Sequence, residues 1–126
     1  MRVEALRFAA VGVVNTLVGL VAIYAFLAWF GMSDAAANFF GYCIGWSISF
    51  VLNRRFTFRH RGDVGSALLR FVAVSIVAYS ANLGVVLFTH RSLDVNVYVS
   101  QFFGVVTYTL VAFLGSYYYA FARTRE

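Results

Sequence analysis

The sequence has no proline and no lysine, one cysteine, and five acidic residues in 126 positions. Without proline, nothing interrupts long helices by removing a backbone donor. A lone Cys43 excludes a disulfide framework or a cysteine-rich metal site within one chain, and reads as a small apolar filler in a helix. Charged residues make up only 12% of the chain, whereas a soluble domain carries about a quarter. That deficit is too deep for a water-facing surface. None of the acidic residues falls inside an apolar run, which argues against a proton-coupled pump or multidrug exporter built on a buried carboxylate. It also leaves no general acid/base pair, and there is no Ser-His-Asp arrangement or glycine-rich nucleotide loop. The chain is therefore not expected to be an enzyme, and no cofactor or metal is expected.

What is present is apolar. Hydrophobic residues account for 62% and aromatics for 19%, and the mean hydropathy is +0.80. The apolar residues come in runs long enough to span a hydrocarbon layer of about 30 Å at about 1.5 Å per residue. The fold class read from this is an all-α integral membrane protein with four transmembrane helices, at about 8–30, 35–56, 67–88 and 95–121, in a single transmembrane domain. The first run, Phe8 to Phe30, has no small-residue cleavage site before polar sequence, so it is a span and not a signal peptide. Ser33 and Asp34 are the expected caps of the second helix. Gly41 and Gly45 have the spacing that lets two helices approach closely.

All ten cationic side chains are arginines, and the net charge is +5. In a soluble chain a pI of 9.8 would suggest nucleic acid. Here the arginines cluster at the ends of apolar runs, which points to anionic lipid or phosphate and excludes a nucleic-acid role. Arg2, Arg7, Arg54, Arg55, Arg59, Arg61, Arg70, Arg123 and Arg125 fall on one face, and Arg91 falls alone on the other beside Asp34 and Asp94. By the positive-inside rule, the N and C termini and the central loop are cytoplasmic. The loop residues Arg59, His60 and Arg61 are expected to face solvent.

The halves echo one another at an offset of 63, with a possible repeat over 7–58 and 70–121, a two-hairpin pseudo-repeat. Arg7-Phe8-Ala9-Ala10-Val11 aligns with Arg70-Phe71-Val72-Ala73-Val74, and Asn38-Phe39-Phe40-Gly41 with Gln101-Phe102-Phe103-Gly104. The halves diverge where Asn53-Arg54-Arg55 faces Ser116-Tyr117-Tyr118. One hairpin brings charges and the other tyrosines; the tyrosines read as an interfacial aromatic belt or as part of a head-group lining.

Arginine suits planar, bidentate recognition of phosphate. Arg7, Arg54, Arg55 and Arg70, all at the cytoplasmic ends of helices, are the candidate substrate phosphate-binding residues and are expected to gather around one phosphate. Asn15, roughly 12 Å into the membrane from Arg7 at helical rise, and Asn53 at the inner end of the second helix are polar helix-face or head-group residues. Each serves either interhelical hydrogen bonding or a ligand, with the ligand role favoured for Asn53 because arginines follow it directly. Asn38 and Gln101, at equivalent repeat positions near the opposite face, are a candidate symmetric polar pair.

The sequences Arg7-Phe8, Val11-Gly12-Val13-Val14-Asn15-Thr16, Ala37-Asn38 and above all Phe50-Val51-Leu52-Asn53-Arg54-Arg55-Phe56-Thr57-Phe58 resemble the GtrA-like family of small four-helix membrane proteins, over roughly residues 4 to 122. The resemblance implies translocation of a polyprenyl-phosphate-linked sugar from the cytoplasmic to the outer leaflet of a prokaryotic cell membrane, for cell-surface polysaccharide synthesis or modification. The alternative it implies is a membrane anchor or recruiting subunit for a glycosyltransferase. Asn15, Asn53, Arg54 and Phe58 would occupy the family's motif positions. Expected partners are the polyprenyl-phosphate-linked sugar, anionic lipid, a possible membrane glycosyltransferase, and further copies of the chain. Four helices enclose little volume, so a homo-oligomer is expected, assembled through Gly41 and Gly45.

Overall fold

The computed structural model describes residues 1–122. Arg123 and Arg125 lie outside the described residues. Among the described residues every regular element is helical: α1 Arg2–Trp29, α2 Asp34–Leu52, α3 Val64–Leu87 and α4 Val97–Gly115. A π turn extends α2 over Asn53–Thr57, α3 over Phe88–Ser92 and α4 over Ser116–Ala120. With these turns the spans become Asp34–Thr57, Val64–Ser92 and Val97–Ala120, each long and apolar enough to cross a membrane, as is α1. Their most apolar windows are only 6 to 22% buried by the rest of the chain. Side chains this hydrophobic and this exposed need a hydrocarbon solvent, so this is a multi-pass membrane protein.

The helix boundaries follow local chemistry that hydropathy does not register. α1 begins at Arg2, not Phe8, because charged residues at head-group level do not break a helix, and Glu4 in its first turn favours the positive end of the helix dipole. α2 starts at Asp34, with the Ser33 hydroxyl accepting from the Ala36 amide at 3.2 Å. α3 starts at Val64, three residues before its apolar run, because Asp63 caps it, its carboxylate accepting from the Ser66 amide at 2.8 Å. Gly65 is carried inside that first turn. Asn96 caps α4 by accepting from the Tyr98 amide at 2.8 Å, which moves the start from Val95 to Val97.

The chain divides into two compact units, Met1–Arg59 and a second from His60 onward. Each is an antiparallel helical hairpin, α1 with α2 in the first and α3 with α4 in the second. Their internal plans coincide. Asp34, Leu52, Asn53 and Thr57 bound α2 and its π turn; 63 residues later Val97, Gly115, Ser116 and Ala120 bound α4 and its π turn. The turn at the tip of each hairpin closes the same way. The Met32 amide donates to the Phe26 carbonyl at 3.2 Å, and the Val95 amide to the Thr89 carbonyl at 3.0 Å. Each of these bonds spans a left-handed residue, Gly31 at φ 61° or Asp94 at φ 54°. Glycine adopts that conformation freely, and aspartate is among the few other residues that tolerate it.

Small residues set the hairpin seams. A Cβ on Gly41 would collide with Ile23 Cγ1 and stand 3.2 Å from the Gly19 carbonyl oxygen; one on Gly45 would stand 3.1 Å from the Asn15 carbonyl oxygen. The close-approach pair is therefore spent on α1 of the same hairpin, and both glycines are buried. That corrects the expectation that this face joins copies of the chain. In the second hairpin Gly104 plays the part of Gly41, with Val86 and Asn82 where Ile23 and Gly19 stand in the first. The aromatic closure recurs too. Phe8 packs on Phe58 with ring centroids 6.2 Å apart, and Phe71 on Phe121 at 5.7 Å.

Candidate functional site

The candidate site begins at the open end of the first hairpin, where the N-terminal turns of α1 meet the π turn after α2. A π turn arises when a backbone amide reaches five residues back, and here the Phe58 amide donates to the Asn53 carbonyl at 2.9 Å. The Asn53 side chain is 1% exposed and engaged at both ends. Its amide nitrogen donates to Ser49 Oγ at 3.1 Å, and its oxygen accepts from Thr57 Oγ1 at 2.8 Å. Ser49, Asn53 and Thr57 are spaced by four and form a polar ladder along one helix face. Buried amides need partners in hydrocarbon, and Asn53 finds them on its own helix.

Arg54 and Arg55 lie within the span of the ladder, between Asn53 and Thr57. Arg54 is half-buried and Arg55 exposed, so consecutive positions of the turn put them in different surroundings. Arg55 makes no hydrogen bond or ion pair with any described residue. Arg7, from α1, lays its guanidinium over the Phe56 ring with Cζ 5.1 Å from the centroid. It also donates from Nη1 to the Phe56 carbonyl at 3.3 Å. A cation at a helix C-terminus is favoured by the dipole, and a guanidinium by the aromatic face. One face of the Arg7 guanidinium is thus fixed to the protein, and its remaining N–H donors are available to an anion.

The second hairpin repeats this pairing. Arg70 lies with Cζ 5.6 Å from the Tyr119 ring centroid, and Arg70 and Tyr119 stand 63 residues after Arg7 and Phe56. No carboxylate of the described residues pairs with Arg7, Arg55 or Arg70. The π turn here forms without a polar ladder. The Phe121 amide donates to the Ser116 carbonyl at 3.0 Å, although Ser116 Oγ is buried without a hydrogen-bond partner among the described residues and Ala120 takes the place of Thr57. Between α3 and α4 an apolar groove of about 160 Å³ is lined by Ala73, Val74, Val77, Val111, Gly115 and Tyr119.

Of the residues singled out in the sequence, Arg7, Arg54, Arg55, Asn15 and Asn53 belong to the first hairpin and Arg70 to the second. Asn15 is half-buried at the α1–α2 crossing, where its carbonyl faces Gly45. Asn38 and Gln101 are exposed, each in the second turn of its helix. Phe58 is 3% exposed and serves the hairpin seam. His60 corrects the sequence reading: Arg59 and Arg61 are exposed, but His60 is 6% exposed and packs edge-on to Phe121 at 5.5 Å. An imidazole has enough apolar area to be drawn off a membrane surface by an aromatic neighbour. The sequence reading missed Phe56 and Tyr119 as arginine platforms. Their signal was the matched spacing, Arg7 to Phe56 and Arg70 to Tyr119.

Four apolar spans with arginine–aromatic pairs at the open ends of their hairpins define a small multi-pass membrane protein. The chain belongs to the family described as GtrA/DPMS, transmembrane domain, which matches residues 7–121. That membership associates it with the handling of lipid-linked sugars in the membrane. No curated protein matches the chain, and no solved structure does.

Proposed function

We propose that the protein moves a polyprenyl-phosphate-linked sugar from the cytoplasmic to the outer leaflet, for cell-surface polysaccharide synthesis or modification. The observation that carries this reading is the recurrence of an arginine held on an aromatic ring, without a carboxylate partner among the described residues, at the open end of each hairpin. A phosphate is the ligand such a cation suits, since bidentate N–H···O bonds survive while the ring holds the opposite face. Arg7, Arg54 and Arg55 would contact phosphate at the first hairpin and Arg70 at the second, both on the cytoplasmic side by the arginine asymmetry. Asn53 supports this as a positioning residue, because its ladder anchors the turn that carries Arg54 and Arg55. The polar helix-face residues Asn15, Asn38 and Gln101 would meet the sugar during crossing. The apolar exteriors would let the prenyl tail remain in lipid.

The test is reconstitution in vesicles with a labelled polyprenyl-phosphate sugar. Wild type should move the label between leaflets faster than protein-free vesicles. Arg55→Gln removes one exposed charge and should slow capture by about ten- to a hundredfold, the worth of one charge-assisted hydrogen bond at about 1.5–3 kcal/mol. Folded wild-type protein that moves no label refutes translocation and leaves the protein as an anchor for a glycosyltransferase.

A further inference from the structure

Most hydroxyls in the membrane spans are used on their own helices. Thr16, Ser47, Ser75, Thr107 and Thr109 each donate to the carbonyl four residues before, at 2.8 Å. Tyr79 and Asn82 on α3 differ, for neither makes a hydrogen bond with any described residue. Tyr79 is 62% exposed and stands beside the centre of the Val64–Ser92 span. Asn82 is half-buried and lies about 6 Å from that centre at helical rise. One edge of its amide lies over Gly104, where a Cβ would stand 2.9 Å from Nδ2. Val72, Ser75, Tyr79 and Asn82 follow one another at spacings of three, four and three, so they share one face of α3 in the pattern of a coiled-coil seam. At the corresponding positions the first hairpin has Ala9, Gly12, Thr16 and Gly19, and Thr16 is already paired on its own helix.

An amide or a phenol left unpaired at this depth is costly, because hydrocarbon supplies no hydrogen bonds. We propose that this face of α3 joins two copies of the chain about a two-fold axis along the membrane normal. The arginine asymmetry inserts every copy the same way round. α3 of one copy therefore runs parallel to α3 of the other, and like residues meet at like depth. A carboxamide carries donor and acceptor in one planar group. Asn82 of each copy donates from Nδ2 to Oδ1 of the other, so one contact forms two bonds. The Tyr79 phenols meet nearer the middle of the span, one donating to the other. Ser75 lets the backbones approach, being small and having its own hydroxyl donated to the Phe71 carbonyl. An anionic head group would use only the donors of Asn82, and a passing ligand would leave both residues unpaired between visits. A second copy uses donor and acceptor alike, and does so permanently. The seam depends on the energy of polar groups in hydrocarbon and not on what the protein carries.

The test uses the full chain in liposomes, with the dimer fraction read by single-molecule photobleaching over a series of protein-to-lipid ratios. Wild type should pass from monomer to dimer as the ratio rises. Asn82→Ala removes two symmetry-related bonds and should weaken dimerisation about sevenfold, and Tyr79→Phe removes one and should weaken it about threefold. Tyr79→Phe, at an exposed position, carries the test should Asn82→Ala not fold. In a Cys43→Ser background, Ser75→Cys should form a disulfide between copies on oxidation in membranes. Val77→Cys, at a position 59% exposed on the other side of α3, should not. Wild type that stays monomeric at every ratio overturns the seam and leaves Tyr79 and Asn82 to another occupant, such as a hydroxylated head group. A dimer that folded Asn82→Ala and Tyr79→Phe do not weaken, or that cross-links through Val77→Cys as readily as through Ser75→Cys, overturns this face as its contact. Each of these outcomes leaves the carrier reading intact.

Discussion

Asn53→Ala isolates what the polar ladder contributes. The substitution deletes two side-chain hydrogen bonds, to Ser49 Oγ at 3.1 Å and from Thr57 Oγ1 at 2.8 Å. Side-chain hydrogen bonds inside membranes average about 0.6 kcal/mol each, so their direct loss is about 1.2 kcal/mol, roughly a sevenfold change in the unfolding equilibrium. A hydroxyl left buried without a partner adds about 1–3 kcal/mol, and Thr57 is 1% exposed. The second hairpin forms the same π turn without a ladder, with serine and alanine at these two positions. Asn53→Ala combined with Thr57→Ala leaves no hydroxyl unpaired at position 57, so it should cost no more than Asn53→Ala alone and should leave the turn in place. The measurement is reversible unfolding in mixed micelles, run as a double-mutant cycle on Asn53 and Thr57. An Asn53→Ala variant as stable as wild type, or a cycle with no coupling between the two positions, would falsify the ladder as a source of stability.

Two further outcomes follow from the seams and from the charge pattern. Gly41→Ala should destabilise by about 1–3 kcal/mol, because its methyl meets Ile23 and the Gly19 carbonyl. Gly84→Ala, with nothing within 4 Å, should be neutral or stabilising by up to about 1 kcal/mol; the contrast is read from midpoints in the same unfolding assay. For orientation, Arg61→Cys and Arg91→Cys, each made in a Cys43→Ser background, should react oppositely with a membrane-impermeant maleimide on intact cells. Residue 91 should label and residue 61 should not; the reverse pattern would invert the topology.

The site was partly legible in the sequence. Arg7, Arg54, Arg55 and Arg70 stand out because charge is scarce and apolar runs frame it. Their aromatic partners do not, because Phe56 lies 49 positions from Arg7 in a chain where nearly one residue in five is aromatic. Asn53 was visible as a polar residue at the end of a span, but its fully used amide was not. Ser49 and Thr57 are common helix residues, and only coordinates show both aimed at the same side chain. His60 misled for the same reason. Placed between Arg59 and Arg61 it reads as exposed loop, whereas an aromatic ring 61 positions later buries it.

By itself the sequence determined the solvent of this protein and the number of its crossings. Both depend on summed transfer free energy along contiguous runs, and that is a one-dimensional quantity. It also carried the 63-residue echo and the arginine asymmetry, which are properties of order alone. Only the tertiary structure decided how those residues are used. Gly41 and Gly45 close the α1–α2 seam and not a contact between copies, because a close-approach motif does not encode which helix approaches. Asn53 stabilises a turn from within. Arg7 and Arg70 become oriented cations because α2 and α4 end in π turns that bring Phe56 and Tyr119 beneath them. Which aromatic a guanidinium finds depends on where two antiparallel helices meet, and that is set by packing between positions far apart in the chain.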